Sequence, residues 1–149
     1  MILLLTGNLQ IGPKIYFELF ARHKYLYIPH YGNNLLINKV KEIGIFSIGI
    51  SNATLAELYF GAYNSKYTKK NLRNISAFKR NLTIYSDSSG SAELFGKAKA
   101  ELKASGCMIE DFDILIASIA MANNCILVTN NVHHFERIDA IQLENWLEK

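Results

Sequence analysis

The chain reads as an α/β protein of 149 residues in a single domain, 1–149, with a central, mainly parallel twisted sheet of four to five strands and helices on both faces. Three observations predict this. Short apolar or β-branched runs alternate with longer helical patterns, the signature of parallel strands joined by crossover helices. The segment 112–125 is almost wholly apolar or small, so it reads as a helix buried on most of its circumference. It runs directly into Ile126-Leu127-Val128-Thr129, a run that suits a buried parallel strand.

Taken in order, residues 2–5, 45–50 and 125–129 are the clear strands, and 82–85 and 140–143 are weaker edge candidates. Helical patterns occupy 14–23, 33–43, 52–63, 69–80, 91–105 and 112–123. Within 14–23, Tyr16, Phe17 and Phe20 share helical spacing, which assigns them to the core or to a dimer interface. The clearest amphipathic helix is 91–105, with Ser91 as its cap, Ala92, Phe95, Ala98 and Leu102 on one face, and Gly106 as the stop. Trp146 is expected to anchor the last segment.

Composition narrows the functional classes. Hydrophobic residues make up 50% of the chain and only two residues are proline, so no linker or disordered arm is expected. The apolar start Met1 to Leu5 breaks at Thr6-Gly7-Asn8, too short for a signal peptide or membrane span, which predicts a cytoplasmic protein. Cys107 and Cys125 have no CxxC or His-paired spacing and sit beside apolar residues, so both are expected to be buried free thiols rather than zinc ligands or a redox pair. A net charge of +3 with pI near 8.8 permits contact with nucleic acid without requiring it.

The acids carry the chemistry. Glu110, Asp111 and Asp113 open the apolar helix, and Glu57 lies in another apolar helix that also follows a strand. If both strands are central and parallel, Glu57 and Asp113 converge near neighbouring strand ends, where α/β folds bind ligands. Converging carboxylates repel unless protonated or neutralised, and hard oxygen donors suit Mg²⁺ or Mn²⁺. Such a cation activates water and neutralises charge on a phosphodiester, so a nuclease site is one reading. The other is structural: Thr54 to Glu57 has the spacing of a capping box, and Asp111 or Asp113 caps the helix that follows.

The blocks from Ile48 to Gly61, Asp113 to Ala117, Leu127 to Asn131 with Phe135, and Leu143 to Trp146 together resemble a PIN domain of the VapC toxin type. That resemblance implies a PIN-like domain, Mg²⁺-dependent cleavage of RNA, homodimerisation, and inhibition by a cognate antitoxin protein. It carries Glu57 and Asp113 over as metal-binding acids, Asp111 as an additional acid, Thr129 as a hydroxyl beside the site, and Asn131 at the position of a fourth acid. Asn8 matches the Asn of the family's first motif. The departure is there too, because the family's first strand ends in Asp-Thr-Asn whereas this chain reads Thr6-Gly7-Asn8. Two functional readings follow: a metal-dependent endoribonuclease, or a pseudoenzyme that binds RNA or an antitoxin without cutting.

Lys66, Lys69, Lys70 and Arg73 fall at i, i+3, i+4 and i+7 with Tyr63 and Tyr67 interleaved, either as a basic stripe for RNA or partner contact or as a solvated helix face. His133 and His134 lie in a polar turn after the last clear strand and are read as exposed loop residues, with an approach to the site as the lesser alternative.

Overall fold

A computed structural model of the chain describes residues 2–6, 16–18, 34–44, 47–80 and 82–146. Its strands are β1 (Ile2–Thr6), β2 (Tyr16–Glu18), β3 (Ile48–Ser51), β4 (Thr83–Tyr85), β5 (Cys125–Thr129) and β6 (Leu143–Glu144). The helices are α1 (Asn34–Ile43), α2 (Asn52–Tyr63), α3 (Thr68–Lys79), α4 (Ser89–Ala104), α5 (Asp111–Ala122) and the single turn α6 (Val132–Phe135). Strand order is β1-β5-β2-β3-β4, with β6 also paired to β5. Every pairing is parallel except that of β1 with β5. The sheet is therefore mainly parallel, as expected, but holds six strands rather than four or five.

The one added strand among the described residues is β2, which is short and a correction. Residues 14–23 read as a helix, yet Tyr16–Glu18 is a strand lying between β3 and β5, with Tyr16 opposite both Ile48 and Ile126. Aromatic residues fit a pleated surface as readily as a helix, and two parallel strands with facing edges leave backbone donors and acceptors that only a strand satisfies. Phe20 and the rest of that segment lie outside the described residues. The last strand also begins later than expected. Ala140 adopts a positive φ of 59°, so the chain is still turning there, and pairing starts with Leu127 N–H donating to Gln142 O at 2.8 Å.

Both faces of β5 are covered. Cys125 and Leu127 join Ile50, Leu55, Leu58, Ile114, Ala117 and Leu102 in a core built from α2, α4 and α5. Val128 packs with Ile48 and Trp146 beside Val40 and Ile43 of α1. Trp146 anchors the end of the described chain as expected, with its Nε1 donating to Glu144 Oε2 at 2.7 Å. The apolar composition of 112–125 is explained by α5, in which Ile114, Ile116, Ala117, Ser118, Ile119 and Ala120 are all buried.

Caps set the helix ends. The cap of α4 is Ser88, not Ser91: the Ser88 hydroxyl accepts from Ser91 N–H, while the Ser91 hydroxyl reaches back to Ser88 N–H at 2.7 Å. The sequence reading placed the cap three residues too late. At the other end Gly106, with φ of 69°, closes a Schellman motif in which Cys107 N–H donates to Leu102 O at 2.9 Å and Gly106 N–H to Lys103 O at 3.2 Å. That turn leaves Cys107 exposed, whereas Cys125 is buried at the start of β5. Burial pushes the Cys125 thiol up to about 12 despite a hydrogen bond from Tyr85 that acts the other way. The Tyr85 phenol is likewise pushed up to about 12, first by burial and then by Cys125.

Two outcomes follow from this packing. Ile114 is wholly buried, so Ile114→Ala is expected to cost about 2 to 5 kcal/mol in denaturant unfolding, the range for a truncated core aliphatic. At pH 8 a thiol reagent should modify Cys107 in the folded protein and reach Cys125 only on unfolding; equal labelling rates would contradict the burial. The unfolded thiol ionises near 9.0 and the native one near 12, so the stability the neutral thiol contributes is complete below 9 and falls as pH rises toward 12.

Candidate active site at the sheet's carboxyl edge

Strands β3 and β5 both end in buried hydroxyls, Ser51 at 0% and Thr129 at 1% exposure. Ser51 leaves the strand with extended backbone and caps α2, its Oγ accepting from Thr54 N–H at 2.9 Å. Thr54 is consequently the third residue of α2 and Glu57 lies in the second turn. The capping-box reading of Thr54 with Glu57 does not hold, since the cap is already supplied three residues earlier. Glu57 is half-buried, and its Oε2 is shielded from solvent. A carboxylate in the middle of an apolar helix lies too far from the N-terminus for capping duty.

The acids at the start of α5 separate by direction. Glu110 is the N-cap but makes no side-chain capping bond, and Asp111 and Asp113 occupy the first turn. Residues two apart on a helix point about 200° from one another. Asp111 is turned outward, 59% exposed, and accepts from Lys99 Nζ of α4 at 2.6 Å. Asp113 is turned inward, its side chain 18% exposed, and accepts from His134 Nε2 at 2.8 Å. A carboxylate only accepts, so the His134 ring nitrogen facing it carries the proton. Sequence reasoning gave an approach of His134 to the site only the lesser weight, because the contact spans 21 positions and no local spacing announces it. Asp111 was read as a supporting acid, but its ion pair with Lys99 directs it to the surface.

Thr129 holds the turn that brings His134 in. Its Oγ1 accepts from Asn131 N–H at 3.0 Å, and His134 N–H then donates to Asn131 O at 3.0 Å within α6. The Asn131 side chain is exposed and makes no capping bond to α6. His133 is surface-facing as expected, 95% exposed, with Nδ1 2.9 Å from Glu136 Oε1.

Thr6 stands elsewhere. It pairs with Cys125, at the opposite end of β5 from Thr129, four residues or about 13 Å along a strand. The slot beside Thr129 and Ser51 belongs to β2, whose last residue, Glu18, is in register with Val128. Asn8 lies outside the described residues.

The helices carrying Glu57 and Asp113 pack against each other, and both pack on β3. Among the described residues no group of three or more His, Cys, Asp or Glu side chains is placed to hold a metal ion. Mg²⁺ retains several waters and is commonly held by one or two carboxylates together with substrate phosphates. Glu57 and Asp113 fit it in donor type. Lys69, Lys70 and Arg73 are exposed on α3, while Lys66 sits in the turn before that helix rather than within it. Phe60, Tyr63 and Tyr67 are 71%, 67% and 71% exposed beside them. Among the described residues no helix is long and apolar enough to cross a membrane.

Residues 34–141 match the family model for the PIN domain. The chain is 43% identical over 98 residues to a ribonuclease VapC2 of Haemophilus influenzae, covering 66% of this chain and 74% of the relative. It is 35% identical over 97 residues to a tRNA(fMet)-specific endonuclease VapC of Shigella flexneri, covering 65% and 74%. Among solved structures it is similar to the VapBC2 complex of Rickettsia felis bound to a promoter DNA fragment, with a TM-score of 0.63, 40% identity, and coverage of 66% of this chain and 74% of that one. Matched through most of its length, including Glu57, Asp113, Thr129 and Asn131 but not Thr6 or Asn8, the chain belongs to the PIN domain family.

Proposed function

We propose that the protein is a VapC-type endoribonuclease that hydrolyses RNA phosphodiester bonds in the cytoplasm, acts as a homodimer, and is held silent by an antitoxin protein. The observation that carries this is the inward-facing Asp113 at the start of a buried helix, inside the segment shared with ribonucleases of this kind. The antitoxin partner is supported by the likeness to VapBC complexes.

Glu57 and Asp113 are the residues that hold a divalent cation, Mg²⁺ or Mn²⁺, which when bound neutralises phosphodiester charge and acidifies water. The two residues lie on helices that pack together and against β3, which supports their acting at one site. Thr129 and Asn131 shape the edge of the site by fixing the turn after β5. Lys66, Lys69, Lys70 and Arg73 offer phosphate contacts, and Phe60, Tyr63 and Tyr67 offer faces on which unpaired bases stack. The pseudoenzyme reading drew its motive from Thr6, and the likeness to relatives named ribonuclease and endonuclease favours the enzyme over it.

Purified protein is expected to cleave RNA with Mg²⁺ or Mn²⁺ and to stop on chelation. Asp113→Asn should lower kcat by roughly a hundredfold, the scale of losing one preorganised charge, while Asp111→Asn stays within about twofold because only a surface ion pair is lost. Full activity in Asp113→Asn would dismiss the assignment. For the basic face, replacing Lys69, Lys70 and Arg73 by Ala should weaken RNA binding across sequences and flatten the slope of log K against log salt by about 0.7 per lost single-strand phosphate contact. An unchanged slope would return these residues to the role of a solvated face.

A further inference from the structure

We infer that His134 is a positioning residue for Asp113, fixing one carboxylate oxygen so that the other is presented to the cation; this rests on the function proposed above. The geometry is specific. His134 Nε2 lies 2.8 Å from Asp113 Oδ2, and both side chains are largely withdrawn from solvent, at 28% and 18% exposure. That contrasts with the neighbouring Asp111–Lys99 pair, at 59% and 39%, whose members are free to exchange with water.

The imidazole is itself held from behind. The backbone of His134 is tied to Asn131 O at 3.0 Å, and Asn131 N–H to Thr129 Oγ1 at 3.0 Å, so the ring is referenced to the buried end of β5. Phe135, 1% exposed, plugs the core beneath and meets the His134 ring edge-on, with centroids 5.6 Å apart at 68°. Asp113 is anchored independently by the buried body of α5. The hydrogen bond thus joins two rigid elements rather than two flexible side chains. Aspartate has one torsion that swings its carboxylate, and a donor locked onto Oδ2 removes that freedom. A single oxygen, Oδ1, then faces the cation, which suits the strict octahedral demand of Mg²⁺ better than a rotating or bidentate carboxylate. Outer hydrogen-bond partners of metal ligands typically contribute about 10- to 100-fold in affinity or activity.

The test uses the full chain with His134→Ala, His134→Phe and His134→Gln. Mn²⁺ binding is measured by titration calorimetry, and kcat and KM by RNA cleavage at fixed subsaturating Mn²⁺. His134→Ala should raise the Mn²⁺ Kd by about 10- to 100-fold, with a matching fall in kcat and KM for RNA unchanged within about twofold. His134→Phe keeps the ring but has no donor, and it should be equally impaired. His134→Gln restores an N–H of similar reach and should recover to within about threefold of wild type. Wild-type Mn²⁺ affinity in both Ala and Phe variants would overturn the inference and leave the nuclease reading standing. Equal impairment of all three variants would also overturn it, because packing rather than the donated proton would then be responsible. Absence of Mn²⁺ binding by the wild-type protein would overturn the nuclease reading and this inference together.

Discussion

The burial of α5 against the parallel sheet is the constraint from which the rest of the site follows. Ile114, Ala117 and Ala120 are wholly buried, and Ile116 and Ile119 are 1% exposed. Contacts on so much of the helix circumference leave no rotation that does not expose or overpack an aliphatic side chain. The direction of every first-turn residue is therefore fixed by the core several ångströms away. Asp113 inherits an inward orientation it could not secure for itself, since one carboxylate gains too little from any single partner to steer a helix.

The same constraint explains why two acids in one turn acquire different fates. Asp111 and Asp113 share the favourable field at the start of α5, about 0.3 to 1 kcal/mol for each exposed charge. Beyond that they diverge, because the helix carries one outward to a flexible lysine and the other inward to an imidazole held by a turn. The outward pair is a surface contact of little energetic weight. In the half-buried site, solvent screening is weaker, so orientation and charge there have larger consequences. Selection for a divalent cation depends on just such placement of a few oxygens.

Much of this was legible in the chain, and the reasons for the remainder are physical. Helices α2 and α5 were readable because their composition is extreme, and β3 and β5 because β-branched runs abut them. Glu57 and Asp113 stood out as acids in otherwise apolar segments. Strand β2 was hidden, since Tyr16 and Phe17 serve either period and the deciding factor is the open edge between β3 and β5, a nonlocal fact. The contact of His134 with Asp113 was hidden for the same reason: a local pattern cannot register a partner 21 residues away that arrives through a turn. Ser91 was misassigned as the cap of α4 because a capping box uses Ser88 and Ser91 reciprocally. Cys107 was misread as buried because its apolar neighbour Met108, 43% exposed, suggested a core the Schellman turn steers away from.

The first motif shows how position in a sheet governs what a substitution means. Read along the chain, a neutral Thr6 in place of an acid removes a charge from the metal site. Placed in the sheet, Thr6 is in register with Cys125, at the opposite end of β5 from Thr129. The strand occupying the central slot ends instead at Glu18, in register with Val128 and next to the strand ends that carry Ser51 and Thr129. Which backbone meets that edge is set by the strand in the central slot, not by order in the sequence. Thr6 is consequently separated from the strand ends where Ser51 caps α2 and Thr129 sets the turn that carries His134.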